Sequence, residues 1–241
     1  LEQRQFDLVV IGGGISGLCV AYEAVSRGLS VALVEKGDFG AATSSATSKL
    51  IHGGLRYLKQ LDFLVVRESL RERRIMMQIA PHLVYPYPFL IPTYKKGNTK
   101  LMLRMGLFLY DLLAFDRNKV PYPSKKMPKH HVLSVEEVLA REPGVNRDGL
   151  TGGLLYYDAQ MPDPNRLTWS FALSAAEKGA LLYNYVSAQD FVIDEKAERR
   201  RVEALQVQDS LTGKEYSVHA KVFVNAAGPW ADDVMTMSHD G

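Results

Sequence analysis

The sequence predicts an α/β fold, in which the two ends of the chain form a parallel sheet and a partly helical region is inserted between them. Two observations predict it. Near the N-terminus a strand, a glycine-rich turn, a helix and a second strand follow one another within about thirty residues, which is typical of a βαβ unit with a right-handed connection. Near the C-terminus a helix precedes three strand-like runs that return the chain to the same sheet.

The composition excludes several classes of protein. The 241 residues are 46% apolar and 23% charged, which rules out a fibrous or disordered chain. A net charge of +2 gives no support for nucleic acid as a partner. The single cysteine, Cys19, excludes an internal disulfide and a cysteine-rich zinc site, and we expect no bound metal. No apolar run is long enough to span a membrane, so we expect the chain itself to be soluble. Because it begins at Leu1 rather than methionine, we also expect a fragment of a longer protein.

The N-terminal elements alternate between strand and helix. Residues 6–11 are apolar and β-branched and end at glycines, as a buried parallel strand does. Residues 12–26 carry apolar side chains at helical spacing, and Gly28 ends the helix. Residues 29–35 predict a second buried strand. Together these elements predict a Rossmann-like unit.

The middle of the chain departs from this alternation. Residues 64–79 predict a helix that carries three arginines on its solvent-facing side, namely Arg71, Arg73 and Arg74. Three prolines within residues 85–92 favour an edge strand or an extended crossing segment. Ser134 and Glu137 form the capping-box pattern of a short helix. We therefore predict an inserted cap or substrate region over residues 81–164.

A strongly apolar helix is predicted over residues 100–115, followed by a basic connector over residues 117–131. The helix is either buried in the inserted region or part of a surface that enters lipid, with the connector against anionic headgroups. The sequence leaves both interpretations open. His130 and His131 lie in the connector, where we expect them to be exposed to solvent.

The C-terminal third is predicted to return to the first sheet. Asp163 and Pro164 form a cap and first-turn pair for a helix over residues 165–178. Three strand-like runs follow, at residues 181–192, 202–208 and 216–225. Their spacing predicts antiparallel strands, of which the last rejoins the parallel sheet. We accordingly predict a discontinuous nucleotide-binding domain over residues 1–80 and 165–241.

The turn after the first strand has the spacing G-x-G-x-x-G, the fingerprint of a dinucleotide-binding site. Gly12 permits the tight turn, Gly14 lets the backbone approach a pyrophosphate, and Gly17 lets the helix pack closely on the strand. The N-terminus of that helix offers free N–H groups to the phosphates, and Glu35 can accept hydrogen bonds from a ribose. The fingerprint serves NAD and FAD equally.

Residues 42–57, with the sequence ATSSATSKLIHGGLRY, bear on the choice between these cofactors. They follow the strand predicted to bind ribose, where an extended FAD still has its pyrophosphate and ribityl chain to be held. Small hydroxyl side chains can donate hydrogen bonds there, and Gly53 and Gly54 allow a flat ring to approach closely. The alternative is a solvated loop rich in serine and threonine, which composition alone favours.

Resemblance to a known family decides between them. The segment ATSSATSKLIHGGLRYL closely resembles the signature of FAD-dependent glycerol-3-phosphate dehydrogenases, and RMGLFLYDLL, GGLLYYDAQ and LTGKEYSVHAKVFVNAAGPW are similar to further segments of that family. The last also resembles the second flavin-contact motif of glutathione-reductase-like flavoproteins. The resemblance implies an FAD-binding domain of the glutathione-reductase type. The chain departs from the family at Pro164, where an acid is usual, and we expect the family's C-terminal part to lie outside it.

The fingerprint and the resemblance together imply a set of cofactor-binding residues. They are Gly12, Gly14, Ile15, Ser16, Gly17, Glu35, Lys36, Thr43, Ser44, Ser45, Ser48, Lys49, Leu50, His52, Gly53, Val186, Ala226, Ala227 and Gly228. Among them, Val186 is implied as a backbone contact to adenine, and residues 226–228 as backbone that packs near the cofactor.

Three residues are candidates for the substrate chemistry. Oxidation of a secondary alcohol by hydride transfer to flavin requires a cationic site for the phosphate, a base for the hydroxyl proton and a shielded pocket. Arg56 is the candidate phosphate ligand, because guanidinium binds phosphate through paired hydrogen bonds, with a surface ion pair as the alternative. Tyr57 either hydrogen-bonds the substrate or packs. His52 either acts as a base or makes a structural hydrogen bond.

The resemblance implies oxidation of sn-glycerol 3-phosphate to dihydroxyacetone phosphate, with electrons passed to quinone or oxygen. It also implies peripheral contact with the cytoplasmic face of a bacterial inner membrane or with the mitochondrial inner membrane. Two alternatives stay open. One is an amine or amino-acid oxidase of similar fold, and the other is an FAD-binding fragment without activity, since we expect the base in the C-terminal part.

Overall fold

The computed structural model describes residues 4–96, 100–194 and 201–237. Residues 1–3, 195–200 and 238–241 of the predicted nucleotide-binding domain, and residues 97–99 of the predicted inserted region, therefore lie outside the described residues. In chain order the helices and strands are β1 (Gln5–Ile11), α1 (Ile15–Ser26), β2 (Val31–Glu35), β3 (Leu50–Ile51), α2 (Phe63–Ile79), β4 (Tyr85–Tyr94), α3 (Lys100–Leu113), β5 (His131–Leu133), α4 (Val135–Arg141), β6 (Leu150–Gln160), α5 (Pro164–Glu177), β7 (Leu181–Asn184), β8 (Val186–Asp194), β9 (Arg201–Asp209), β10 (Glu215–Asn225) and α6 (Ala231–Thr236). They form two compact units, one from residues 1–47 and 164–241 and one from residues 48–163.

The first unit is built on a six-stranded sheet with the strand order β7-β2-β1-β10-β9-β8. β1 pairs in parallel with β2 and β10, and β2 pairs in parallel with β7. β8, β9 and β10 form an antiparallel meander. This sheet confirms the predicted Rossmann-like fold and the predicted return of the last strand to it.

The central strands are buried because their apolar side chains point to both faces of the sheet. Val9 packs toward the meander, in a cluster with Leu205. Val10 and Leu33 point the other way and pack on the helices α1 and α5. Each fully buried valine or leucine contributes roughly 1.5–3 kcal/mol, so this two-sided core fixes the carboxyl ends of β1, β2 and β10 at one edge of the sheet.

The strand predicted over residues 181–192 is divided in the structure. Tyr185 adopts a left-handed backbone conformation with a φ of 56°, and the chain changes direction there. β7 joins the parallel part of the sheet, whereas β8 begins the meander. The prediction of one continuous run is therefore wrong at this residue, because a tyrosine in the left-handed region carries no sequence signal comparable to glycine.

The second unit is organised around β6, which pairs antiparallel with β3, β4 and β5. β4 lies at the end of the strand order, which confirms the edge position predicted from its prolines. At the start of α4 the Ser134 side chain accepts a hydrogen bond from the Glu137 N–H, and the Glu137 carboxylate accepts one from the Ser134 N–H. The predicted capping box is therefore present.

The division between the units falls at residue 48 rather than near residue 80. Residues 48–79 pack within the second unit, because β3 pairs with β6 and because Val66 and Leu70 of α2 cluster with Tyr110 of α3. These contacts join segments that are far apart in sequence, and local patterns do not reveal them. The role of the second unit as a cap or substrate region stays a prediction.

The helices of the second unit differ from the sequence-based expectation in their exposed faces. Arg71 of α2 is exposed as expected, but Arg73 is only 2% exposed, so its predicted position on the solvent side is wrong.

The helix α3 buries Leu107, whereas Leu101 and Phe108 are each 65% exposed. The apolar helix is thus half-buried and presents an apolar face. Within the part of the chain that the structure describes, no helix is both long enough and apolar enough to cross a bilayer.

Asp7 connects β1 to the segment before β2 and to β10. Its carboxylate accepts hydrogen bonds from Lys221 Nζ at 2.7 Å and from the Ser30 N–H at 2.9 Å. The bond from Lys221, with those from Ser30, holds the pKa of Asp7 well below its ordinary value. A carboxyl group with a lowered folded-state pKa stabilises the fold above its unfolded pKa of about 3.9, and this contribution is lost as the pH falls.

We therefore expect the melting temperature of the wild-type chain to fall more steeply between about pH 5 and pH 3 than that of Asp7→Asn. At neutral pH the variant should be the less stable of the two. Asp232→Asn, which removes an exposed carboxylate of α6, should keep the wild-type slope. Thermal melts at each pH measure these slopes, and parallel curves for Asp7→Asn and the wild type would contradict the assignment.

Candidate functional site

A cavity of about 840 Å³ opens in the first unit, at the carboxyl ends of three parallel strands. Its walls include residues 11, 12 and 14–16 at the end of β1 and the turn that follows it, residues 34–37 at the end of β2 and residues 226–230 after β10. Because β1, β2 and β10 are parallel, these segments meet at one edge of the sheet. Ligands of open α/β sheets bind at this edge, and the volume lies in the range of cofactor sites.

The glycine-rich turn is packed so tightly that a side chain at Gly12 or Gly17 would clash with backbone atoms. Gly12 has a φ of +110°, and a Cβ added there would lie 2.4 Å from the carbonyl oxygen of Ala226. A Cβ on Gly17 would lie 2.0 Å from the carbonyl oxygen of Gly12. The turn therefore brings the N-terminus of α1 directly against the ends of β1 and β10. Gly14 lines the cavity itself, as expected for the glycine that faces a pyrophosphate.

Glu35 lines the cavity with its carboxylate held in place by backbone. Oε2 accepts a hydrogen bond from the Gly13 N–H at 2.6 Å, and Oε1 accepts one from the Gly37 N–H at 2.8 Å. A carboxylate has about four acceptor positions, so two bonds leave capacity for the hydroxyls of a ribose. The position fits the acidic residue of a dinucleotide-binding fold.

The serine- and threonine-rich loop reaches the N-terminus of α1. Ser44 Oγ accepts a hydrogen bond from the Ile15 N–H at 2.9 Å, and Thr43, Ser44 and Thr47 all line the cavity. The hydroxyls of this loop and the N–H groups at the helix N-terminus can donate hydrogen bonds to an anionic pyrophosphate. Ser45 has another role, since its hydroxyl donates to the carbonyl oxygens of Ala41 and Ala42 and stabilises the turn of the loop.

The structure therefore brings together most of the predicted cofactor-binding residues. Those that line the cavity are Gly12, Gly14, Ile15, Ser16, Glu35, Lys36, Thr43, Ser44, Val186, Ala226, Ala227 and Gly228. Gly17 and Ser45 support the walls without lining them. The residues fit a dinucleotide, since the cavity combines a glycine cradle, a helix N-terminus and a fixed carboxylate.

Trp230 is a cavity residue that sequence reasoning did not single out. It follows the predicted Ala226–Gly228 segment, and Lys36 Nζ lies 3.5 Å from the centroid of its indole ring. Asp233 and Met237 extend the same wall. The sequence signal for this residue is its position two residues after Gly228, since a side chain so close to the predicted cofactor-binding segment 226–228 is expected near the same site.

The remaining predicted residues belong to the second unit, where the chain continues directly from Thr47. Leu50 lies in β3 opposite Gln160, and the carbonyl oxygen of Lys49 accepts a hydrogen bond from the Met161 N–H at 2.9 Å. Ser48 is the first residue of this unit and connects Thr47, which lines the cavity of the first unit, to Lys49. The contribution of these residues to a cofactor site stays a prediction.

His52 is exposed, and its Nδ1 accepts a hydrogen bond from the Gly54 N–H at 3.2 Å. A neutral imidazole that accepts at Nδ1 carries its proton on Nε2. His52 therefore presents an N–H donor to its surroundings. This geometry favours the hydrogen-bonding role of His52 over the role of base.

Arg56 is exposed, and its guanidinium donates a hydrogen bond to the Tyr57 hydroxyl at 2.8 Å. The guanidinium also lies 4.9 Å from the centroid of the Tyr57 ring. No ion pair of Arg56 with a carboxylate occurs among the described residues. Tyr57 thus orients a guanidinium whose remaining N–H groups can bind a phosphate.

Gly53 has a structural reason to be glycine that differs from the predicted approach of a flat ring. A Cβ at this position would lie 2.2 Å from Tyr110 Oη and 2.3 Å from Leu70 Cδ2. The Gly53 N–H donates to Asp158 Oδ1 at 2.9 Å, and Asp158 also forms a buried ion pair with Arg73. This network has no local signal in the sequence, because its members Gly53, Arg73, Tyr110 and Asp158 come from four separate segments.

The basic connector is partly buried, and the two histidines predicted to be solvated differ in their exposure. The His130 ring pairs with the Asp111 carboxylate at 2.7 Å and is 14% exposed, so the prediction that it is solvated is wrong for this histidine. Lys125 is buried, and its Nζ donates to the carbonyl oxygen of Val84 at 2.8 Å. Burial lowers the pKa of Lys125. His131 is exposed, as predicted.

Nearly the whole length of the chain is similar to known proteins. A family model described as FAD dependent oxidoreductase matches residues 7–241. An alpha-glycerophosphate oxidase of Streptococcus pyogenes is 42% identical over 244 residues, which cover 100% of this chain and 38% of the relative. A glycerol-3-phosphate dehydrogenase of Synechocystis is 38% identical, with 100% of this chain and 42% of the relative covered. The structure of a glycerol-3-phosphate dehydrogenase from Bacillus halodurans complexed with FAD has a TM-score of 0.72 and 29% identity, covering 99% of this chain and 37% of that one.

The chain thus spans 38–42% of the length of the two curated relatives. The family description names FAD, and the glycine cradle, Glu35 and the N-terminus of α1 fit that cofactor, which confirms the cofactor prediction. Because the family model matches all but the first six residues, the chain belongs to the family of FAD-dependent oxidoreductases.

Proposed function

We propose that the protein to which this chain belongs oxidises sn-glycerol 3-phosphate to dihydroxyacetone phosphate. The observation that carries the proposal is identity of 38–42% over the full chain with relatives named for glycerol phosphate oxidation. Bound FAD would supply the ring that accepts a hydride from the substrate carbon. The amine or amino-acid oxidase alternative has no comparable support in sequence identity.

The residues of the second unit have distinct roles in this proposal. Arg56, oriented by Tyr57, binds the phosphate group of the substrate through paired hydrogen bonds. His52 donates a hydrogen bond from Nε2, because its Nδ1 is engaged by the Gly54 N–H. These residues hold and orient the substrate, and the base that accepts the hydroxyl proton is assigned to the part of the protein beyond this chain.

The proposed electron acceptor is quinone or oxygen, and the proposed location is the cytoplasmic face of a bacterial inner membrane or the mitochondrial inner membrane. The exposed apolar face of α3 supports contact with lipid, since Leu101 and Phe108 are each 65% exposed and Leu112 is 59% exposed. Lys126 and Lys129 of the connector are also exposed and suit anionic headgroups.

An absorbance spectrum of the purified full-length protein, followed by anaerobic addition of glycerol 3-phosphate, tests the proposal. We expect a bound-flavin spectrum that bleaches with this substrate. A spectrum that bleaches with an amino acid and not with glycerol 3-phosphate would support the oxidase alternative. The same experiment on the 241-residue chain tests the alternative of an inactive fragment, which predicts bound flavin without bleaching.

Trp230 gives a direct test of the cofactor cavity, because the chain has only two tryptophans. Trp230 lines the cavity, whereas Trp169 packs 6.1 Å from Phe39, measured between ring centroids. Titration of the cofactor-free chain with FAD should quench tryptophan fluorescence in the wild type and in Trp169→Phe. In Trp230→Phe most of the quenching should be lost. Equal quenching in the two variants would contradict the proposed position of FAD.

A further inference from the structure

A buried polar cluster in the second unit holds the backbone of the segment that carries His52 and Arg56. Asp158 of β6 is at its centre. Its Oδ1 accepts hydrogen bonds from the Gly53 N–H at 2.9 Å and from Tyr110 Oη at 2.9 Å, and it forms an ion pair with Arg73 Nη1. Arg73 Nη1 also donates to the carbonyl oxygen of Tyr157 at 3.2 Å. The cluster therefore joins α2, α3 and β6 to one loop backbone.

The cluster is fully removed from solvent. The Arg73 and Asp158 side chains are each 2% exposed, and Tyr110 is 3% exposed. Burial, with the charge of Asp158, raises the pKa of Tyr110 well above its ordinary value, so its hydroxyl stays protonated and donates to Asp158. Buried ion pairs are often no more stabilising than apolar residues of similar size. Arg73 Nε has no hydrogen-bond partner among the described residues.

The loop that the cluster holds has no regular secondary structure to fix it. It lies between β3, which ends at Ile51, and a 3₁₀ turn at Leu55–Gln60. Gly54 has a φ of +73°, so the backbone turns sharply here. Asp158 satisfies the Gly53 N–H within this turn, and the next N–H, that of Gly54, donates to His52 Nδ1. Arg56 lies in the following 3₁₀ turn.

We propose that Asp158, held by Arg73 and Tyr110, is a positioning residue that sets the direction of His52 Nε2 and of the Arg56 guanidinium. The inference rests on the proposed function, in which both groups face the substrate. Asp158 itself is buried and acts through the backbone of Gly53. An active site loses activity when the residues that support its substrate-binding groups no longer fix them, even if every such group is still present. A displacement of a binding group by about 1 Å can lower the reaction rate about 100-fold.

The test uses the full-length, FAD-loaded enzyme and three variants. Asp158→Asn keeps an acceptor for the Gly53 N–H but removes the charge that holds Arg73. Tyr110→Phe keeps the ring and removes one donor to Asp158. Asp116→Asn is the matched control, because Asp116 pairs with Arg67 of the same helix α2 at 2.7 Å. Among the described residues its side chain bonds to Arg67 and Arg74 and not to residues 50–54.

Two readouts separate positioning from a general loss of stability. One is KM and kcat for glycerol 3-phosphate at saturating FAD, and the other is the visible circular dichroism of the bound flavin. We expect Asp158→Asn to lower kcat/KM about 10- to 100-fold, with a raised KM and an altered flavin dichroism. Tyr110→Phe should lower it about fivefold. Asp116→Asn should keep the wild-type KM and dichroism, even if it melts at a lower temperature.

Wild-type KM and flavin dichroism in both Asp158→Asn and Tyr110→Phe would overturn the proposal. If Asp158→Asn does not fold, Tyr110→Phe decides the question alone, since it removes only one hydroxyl. Failure of the proposed function is seen separately, as a wild-type enzyme whose flavin is not reduced by glycerol 3-phosphate. In that case the flavin dichroism of the three variants still tests whether Asp158 positions the loop.

Discussion

Gly17→Ala is expected to destabilise the first unit by about 3 kcal/mol or more and to abolish FAD binding. The added Cβ would lie 2.0 Å from the carbonyl oxygen of Gly12 and 3.3 Å from Ala226 Cβ. The nearer atom belongs to the backbone, so no side-chain rotation can relieve the clash. α1 would have to move away from β1, although Leu18 and Ala21 of α1 are fully buried against the sheet and α5.

Denaturant unfolding measures the stability of this variant, and the quenching of flavin fluorescence measures its FAD affinity. Gly106→Ala is the control, because Gly106 lies in the middle of α3 and an added Cβ meets no atom within 4 Å. Replacing a helical glycine by alanine should stabilise the chain by about 0.5–1 kcal/mol and leave the FAD affinity unchanged. Gly17→Ala that binds FAD like the wild type would contradict the close packing of the turn.

The parts of the fold that the sequence predicts are those specified by local chemistry. The buried strands β1 and β2, the glycine-rich turn and the capping box of α4 each depend on residues that are close together in the chain. The end of β2 and the turn after β1 could be placed together because parallel strands end at the same edge of a sheet. For this reason most of the predicted cofactor residues of the first unit line one cavity.

The parts that the sequence does not predict depend on partners far away in the chain. Arg73 on a helix with other arginines has the pattern of an exposed residue, and only the fold brings Asp158, 85 residues later, against it. His130 lies among lysines, yet Asp111 of α3 pairs with it. The position of the boundary at residue 48 has the same origin, because β3 pairs with β6 near residue 160.

Arg73→Met is expected to be the most destabilising single change in the second unit, with a loss of about 3–5 kcal/mol in the free energy of unfolding. The substitution removes the cation and leaves Asp158 charged, 2% exposed and bonded only to neutral donors. Desolvation of an unpaired carboxylate is far more costly than the packing change, since methionine occupies much of the same volume. Chemical denaturation of the purified variant measures the loss.

Two further variants identify the cause of that loss. Arg71→Met makes the same substitution two residues earlier on α2, at an exposed position, and should change stability by no more than about 0.5 kcal/mol. The double variant Arg73→Met with Asp158→Asn removes the unpaired charge and should be more stable than Arg73→Met alone. If the loss of unfolding free energy in the double variant equals the sum of the losses in Arg73→Met and Asp158→Asn, the two residues do not interact energetically. Lost packing rather than an uncompensated charge then explains the effect. If the double variant recovers stability, the loss in Arg73→Met comes from the unpaired charge of Asp158. Arg73 then stabilises the buried Asp158 carboxylate, as the proposal requires if Asp158 is to hold the Gly53 loop in one place.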